Sequence, residues 1–407
     1  MKKIPFTRRE FLRTGGRGLG MLAFCQYAPL FLTQSALAGA PKAEKDRTIL
    51  VMVQLAGGND GLNTLVPFQE PNYHAFRPNL ALKEEDVLKV TDSVGLHQSC
   101  QPLHQLLGDG KLSIIQNVGY PNPNRSHFRS MEIWETGSDS DRYARTGWLG
   151  RFFDNACQGA PDGPVGIHVG NEVPQAFLSD KTHVIHGVGG GGRRQQQAAH
   201  DLLQQLTGAG HERGSNNGTF LQHTLMNALA TDERVQTMMR RYPASVPYPR
   251  TNFAQNLSSI SSLIAGGMET RVYFASLGGF DTHSNQATSH ANLLRTLSEG
   301  LAAFQADLEK RNLDSQVLTM TFSEFGRRPI ENDSAGTDHG TAAPLFVMGS
   351  QLKGGLYGGA PDFNIERNQD IAFSTDFRQV YGTVIERWLD CDAGPILGRK
   401  FDAVDFI

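Results

Sequence analysis

The sequence predicts an α/β protein built on a doubly wound, mostly parallel sheet flanked by helices. Three observations point there. Four segments have the unbroken β-branched and apolar character of strands covered on both faces. Amphipathic helical stretches lie between them, and a polar loop with at least one glycine follows each strand.

The predicted strands are 48–55 (TILVMVQL), 112–118 (LSIIQNV), 271–277 (RVYFASL) and 316–322 (QVLTMTF), with 343–348 (APLFVM) as a fifth candidate. Helices are expected at 219–241, 252–264, 289–313 and 375–389, where apolar residues return every three or four positions. Strand alternating with helix over such a length is the pattern of a parallel sheet with helical crossovers. Residues 187–218 break it with GVGGGGRRQQQ and GAGHERGSNNG. No Lys-Ser/Thr pair or strand–glycine–helix setting surrounds these glycines, so the stretch reads as a surface insertion in preference to a phosphate-cradling loop or mobile lid.

The N-terminus reads as a leader for the twin-arginine export route. Thr7, Arg8, Arg9, Glu10, Phe11 and Leu12 follow a basic start and precede a modestly apolar run at 19–32, and Ala36, Leu37, Ala38 suit signal peptidase. Residues 1–38 are therefore expected to be a signal peptide, 39–47 a charged tether and 48–407 a single α/β domain. The leader holds six basic residues and one acidic residue, so its removal leaves 32 basic and 40 acidic ones and moves the formal charge from −3 to −8. That balance argues against nucleic acid as a partner. No later segment is apolar for long enough to span a bilayer. The expected partners are the twin-arginine translocase, signal peptidase, a small ester substrate and, in the alternative below, another envelope protein. Cys100, Cys157 and Cys391 remain after cleavage, too scattered for a metal cluster; one disulfide with an odd thiol, or none, fits them.

Candidate chemistry gathers in the loops after the strands. The first strand runs into Ala56, Gly57, Gly58, Asn59, Asp60; the second into residues 119–127 (GYPNPNRSH); the third into Gly278, Gly279, Phe280, Asp281, Thr282, His283; the fourth into Ser323, Glu324, Phe325, Gly326, Arg327, Arg328. Ligands of open α/β sheets bind beyond the carboxyl ends of the strands, so these loops should meet in one crevice. A fifth loop, Gly336 to Gly340, precedes the last strand candidate and brings Asp338 and His339. Asp60, Asp281, His283, Glu324 and His339 together make a mixed oxygen and nitrogen set that suits zinc, manganese, iron or calcium, as one ion or two. Asp338 could orient its neighbour His339. Each Asp could equally be a helix cap or turn residue, and Glu324 could simply pair with Arg327 or Arg328. Ser126 opens a probable helix (SHFRSMEIWETG), where backbone N–H groups and the helix dipole favour an alkoxide or bound anion. It reads as a nucleophile, with His127 as base and Arg125 as an anion clamp, or else as a plain helix cap. Thr64 is a weaker nucleophile candidate.

The motifs LAGGNDGLNTLVP, GYPNPNRSHFRSMEIWETG, LGGFDTH, FSEFGRR and TDHGTAAPLFVMG, in this order behind a twin-arginine leader, resemble the bacterial family called domain of unknown function 1501. The resemblance spans essentially the whole chain after the leader. That family looks related to the alkaline phosphatase and sulfatase superfamily, which implies an alkaline-phosphatase-like fold with one or two metals at the strand ends and transfer of phosphoryl or sulfuryl groups. The resemblance implies that Asp60 matches the superfamily's first metal Asp, Asp281 and His283 its Asp-and-His segment, Glu324 its later Asp and His339 its final His, with Ser126 near the nucleophile. Two positions depart from that pattern. Only Thr282 separates Asp281 from His283 where three residues are usual, and Phe325 follows Glu324 where the superfamily has a His. None of Cys100, Cys157 or Cys391 begins the C-x-P-S-R sequence of formylglycine sulfatases.

These readings converge on an exported, metal-dependent hydrolase of phosphate or sulfate esters, periplasmic or secreted, in which Arg125 or Arg327 neutralises charge developing in the transition state. The alternative is a periplasmic binding or assembly protein that keeps the fold without full catalysis, suggested by Phe325.

Overall fold

A computed structural model describes residues 48–156, 163–170, 173–189 and 216–407. The expected leader, cleavage site and tether and most of the expected insertion lie outside the described residues. The chain divides into two units, one of residues 1–46 and 191–237 and one of 47–190 and 238–407. The first contributes only part of the helix Asn216–Arg241 to the described residues. Everything below concerns the second.

Its strands, in chain order, are β1 (Ile49–Ala56), β2 (Leu65–Val66), β3 (Val87–Lys89), β4 (Gly95–His97), β5 (Leu112–Gly119), β6 (Gly166–Gly170), β7 (Ile185–Gly189), β8 (Val272–Gly278), β9 (Val317–Phe322), β10 (Arg327–Glu331), β11 (Thr337–His339), β12 (Ala343–Met348), β13 (Gly355–Tyr357) and β14 (Thr375–Asp376). The main sheet runs β13-β5-β12-β9-β1-β8-β6-β7, with β14 also on β5; β10–β11 and β2-β4-β3 form two small sheets. β1 pairs in parallel with β8 and β9, and β6 with β7 and β8. Among the described strands of the main sheet only β12 runs against its neighbours, β5 and β9. All five expected strands are present within two residues of their predicted ends.

The direction of β12 fixes the geometry of the site. It is antiparallel to both β5 and β9, so those two run the same way, and β9 is parallel to β1 and β1 to β8. The carboxyl ends of β1, β5, β8 and β9 therefore share one edge. Because β12 points the other way, its leading end meets that edge, which is why the fifth loop precedes its strand while the others follow theirs.

Packing follows the strand period. Leu50 and Met52 join a core with Trp134, Phe152, Phe274, Phe322, Phe377 and Tyr381, while the alternate residues Val51 and Val53 are as deeply buried on the opposite face. Burial on both faces accounts for the unbroken apolar runs in the sequence. The helices Asn252–Ala265 and Gln286–Lys310 pack against each other, as expected from their periodicity. The stretch expected as one helix at 375–389 is β14, then the helix Phe377–Thr383 opened by an Asp376–Gln379 capping box, then a wider π turn, Val384–Trp388. β6 and β7 (GIHVG, IHGVG) carry no apolar run and gave no strand signal; the first residues of the expected insertion, Gly187 to Gly189, end β7. Among the described residues no helix is long and apolar enough to cross a membrane. Cys100 is buried and Cys391 partly buried, both as free thiols, and Cys157 lies outside the described residues.

Candidate metal centre

The loops after β1, β5, β8 and β9 and the β10–β11 hairpin meet at the shared edge. Close packing of backbone on backbone makes this possible. Gly57 has φ +120° and sits so near the next loop that a Cβ would lie 2.3 Å from the Asp281 amide nitrogen, and a Cβ on Gly336 would lie 2.2 Å from the His283 carbonyl carbon.

At the centre is the Asp281 carboxylate. Its Oδ1 is 3.0 Å from His283 Nε2, 3.2 Å from His339 Nε2 and 3.5 Å from His127 Nε2. The two imidazole nitrogens of His283 and His339 are themselves 2.9 Å apart. Each ring is held from behind by an acceptor on Nδ1: His127 by Glu324 Oε1 at 2.9 Å, His283 by Asp338 Oδ1 at 3.2 Å and His339 by the Arg125 carbonyl at 2.8 Å. An acceptor at Nδ1 places the proton there, which leaves the lone pair on Nε2. Three lone pairs and a carboxylate oxygen thus face one another.

Among the described residues Arg327 supplies the only guanidinium or ammonium donor to this oxygen, with Nη2 2.7 Å from Asp281 Oδ1. Its fully buried guanidinium also donates to the carbonyls of Gly58 at 2.8 Å, Thr337 at 2.9 Å and Phe280 at 3.0 Å, and to that of Gly57. Burial pushes the Asp281 carboxyl up, but the hydrogen bond and charge of Arg327 outweigh it and hold it at about 2. One guanidinium N–H cannot satisfy the set, and a divalent cation would. His127, Asp281 and His339 each offer an atom within 4.8 Å of the others, and His283, close to Asp281 and His339, lies outside that mutual set. Tetrahedral zinc with bonds of about 2.0–2.1 Å needs donor atoms roughly 3.3 Å apart, and the observed separations from Asp281 Oδ1 bracket that spacing. The pattern of imidazoles backed by carboxylate or carbonyl oxygens is that of metal-ligating histidines.

The structure therefore brings Asp281, His283, His339 and Glu324 together, with Glu324 behind His127 and not among the facing atoms. Its Oε1 also accepts the Gly57 amide at 2.8 Å, and its side chain is almost wholly buried. Asp338 backs His283 instead of its sequence neighbour His339. His127, read from the sequence as a base, presents Nε2 to the cluster like the other two imidazoles. The Arg125 side chain points to Asp370 at 3.2 Å, and only its carbonyl touches the cluster. Ser126 occupies the N-cap position of the helix His127–Thr136 and is exposed, yet its hydroxyl makes no capping hydrogen bond. Phe325, in the position that differs from the superfamily, packs its ring against those of His127 and His339.

Asp60 stands apart. It is fully buried, caps the short helix Gly61–Thr64, and binds Arg77 Nη1 at 2.6 Å and Gln286 Nε2 at 2.5 Å. Burial raises its pKa, but the charge and hydrogen bond of Arg77 prevail and lower it. Every lone pair direction of the carboxylate is engaged by the protein, so the expected ligand is placed as the anion of a buried ion pair. Thr64 is tied to the Asp60 carbonyl at 2.7 Å and to Asn59 Oδ1 at 3.1 Å. Arg77 and Gln286 lie outside the motifs read from the sequence, the one just after the helix Pro71–Phe76 and the other opening the helix Gln286–Lys310.

The molecule is thus an α/β protein with a histidine–aspartate cluster at the carboxyl edge of a mostly parallel sheet. It belongs to the family described as Protein of unknown function (DUF1501), whose model matches residues 47–385. A comparison with curated proteins finds no match. Among solved structures, similarity is found to a protein of the alkaline phosphatase superfamily from Vibrio parahaemolyticus, with 10% identity, a TM-score of 0.38 and coverage of 88% of this chain and 70% of the other. A sulfatase, PsFucS1 from Pseudoalteromonas sp., gives 10% identity and a TM-score of 0.39 over 88% and 71%. Alkaline phosphatase from the Antarctic bacterium TAB5 gives 11% and 0.31 over 74% and 92%.

Proposed function

We propose that the protein is an exported hydrolase of phosphate or sulfate esters that works with a divalent metal held by His127, Asp281, His283 and His339. The observation that carries this reading is the convergence of three imidazole Nε2 lone pairs on Asp281 Oδ1, each ring backed at Nδ1. A metal there would act as a Lewis acid on an ester oxygen. Glu324 keeps the His127 ring in the ligating tautomer, and Arg327 holds Asp281 in place and adds positive charge beside the anionic group. Ser126 is the proposed nucleophile: it is exposed, its hydroxyl is not used as a cap, and it precedes His127 at the start of the helix, where the helix dipole favours an anion. The alternative, a non-catalytic binding or assembly protein, is favoured by Phe128, which is 92% exposed beside His127.

The test is metal analysis of the mature protein purified from an exporting host, with hydrolysis of aryl phosphates and aryl sulfates measured for the wild type, Asp281→Ala and His339→Ala. The reading expects about one bound metal per chain, hydrolysis of at least one ester class, and loss of both in the two variants. Absence of bound metal from the wild type, or hydrolysis that survives both substitutions, sinks it. Bound metal with no turnover of any ester, and a stable envelope partner in pull-downs, selects the alternative.

A further inference from the structure

A cleft of about 480 Å³ is lined by Gln54 and Ser276, near the carboxyl ends of β1 and β8 whose following loops carry Gly57 and Asp281, and by Met131 and Glu135 of the helix His127–Thr136. His127 stands at the cluster; Met131, one turn on, and Glu135, two turns on, line the cleft. Eight residues of helix advance about 12 Å, so this helix face runs from the cluster to the cleft.

The floor is unusual for a central sheet. Gln54 of β1 lies opposite Ser276 of β8, and Phe274 of β8 lies opposite His168 of β6, so four neighbouring side chains share one face. Ser276 is exposed although β8 is flanked by strands on both sides. His168 is only 6% exposed, and its Nδ1 has no hydrogen-bond partner. The Gln54 amide donates to the Met131 sulfur at 2.9 Å, a weak acceptor for a strong donor. Polar groups left this way at the base of a cleft are groups that await a ligand.

We propose that this cleft is a second subsite that takes the organic part of the ester, and that this part is an uncharged, hydroxyl-rich group. The lining offers donors and acceptors in Gln54, His168 and Ser276 together with the apolar surfaces of Phe274 and Met131, which suits a ring or chain with C–H faces and hydroxyl edges. Among the described residues no Lys or Arg lines it, and none of them favours a second anionic group. Glu135 accepts the Ala176 amide at 3.1 Å, and burial pushes its carboxyl up to about 7, so it serves as a hydrogen-bonding wall better than as a counter-charge for a cation.

The position of the anionic end rests on the hydrolase reading, so the test measures binding without turnover. Isothermal titration of the mature protein with glucose and myo-inositol should give millimolar binding for at least one, weakened tenfold or more in Ser276→Trp, which fills the cleft from an exposed floor position. Binding should persist in His339→Ala, where a failed metal site leaves the cleft intact. If Ser276→Trp does not fold, as judged by circular dichroism, Gln54→Leu is read in its place. No binding of either probe to the wild type, or equal binding in the cleft variant, overturns the proposal.

Discussion

Two carboxylates that look alike in the sequence end up in opposite circumstances. Asp60 and Asp281 both follow a strand by a few residues and both have glycines just before them. Asp60 is enclosed by Arg77, Gln286 and the amides of its own helix, so its surroundings supply donors for what it accepts. Asp281 faces three imidazole nitrogens that offer lone pairs, and has one guanidinium N–H in return. The contrast separates a carboxylate that serves the fold from one left with acceptors in excess. A buried polar set that is complete stabilises a unique structure, while the half-exposed set around Asp281 has surplus lone pairs to offer a cation.

The largest effect expected from breaking this comparison is on stability at Asp60. Asp60→Ala leaves Arg77 buried without its partner and should cost about 3–5 kcal/mol in denaturant unfolding, with metal content of the surviving folded protein unchanged. Loss of metal with little loss of stability would place Asp60 at the cluster after all.

The next effect comes from His290, which packs against the same closed network with Nε2 2.9 Å from Asn59 Oδ1. Burial pulls its pKa down to about 4, Asp60 partly resists, and His97 and Arg77 add to the lowering. The folded protein therefore declines a proton that the unfolded chain accepts near pH 6.5. The stabilisation is fully present above 6.5 and is lost as pH falls towards 4, a change of about 3 kcal/mol. Unfolding measured between pH 7 and 4 should show this slope in the wild type, and His290→Gln should flatten it.

At the open cluster, Glu324→Ala removes the acceptor behind His127 and should weaken metal binding about 10–100-fold, read by competition with a chelator. An unchanged affinity would detach His127 from the ligand set. The smallest change in stability is expected at Ser126: Ser126→Ala should shift unfolding by less than about 0.5 kcal/mol, because no capping bond is lost, while ester turnover falls. A large loss of stability would return Ser126 to the role of helix cap.

Much of this was legible in the chain itself. The strands announced themselves because a sheet covered on both faces admits apolar residues at successive positions, as in the run from Ile49 to Leu55. The meeting of the loops followed from strand direction alone. The two aspartates could not be told apart because the difference is made by partners far along the chain, Arg77 and Gln286 for one, His127 and His339 for the other. Such partners reach their places through helix docking and the β10–β11 hairpin, which no local pattern encodes. β6 and β7 stayed hidden for a related reason: Gly187 is small because the His168 ring lies over it, a Cβ there falling 2.7 Å from His168 Nε2. That contact belongs to strand pairing and not to strand propensity.

The close approach of loops at Gly57 and Gly336 bears on which substitutions the chain tolerates. Neither residue has a side chain, yet a single methyl group at either would force backbone segments apart by more than an ångström, and with them Asp281 or His283. A screen for inactive variants should therefore return these glycines alongside the histidines. In such variants every chemically active group would still be present, and the defect would lie in the spacing between them.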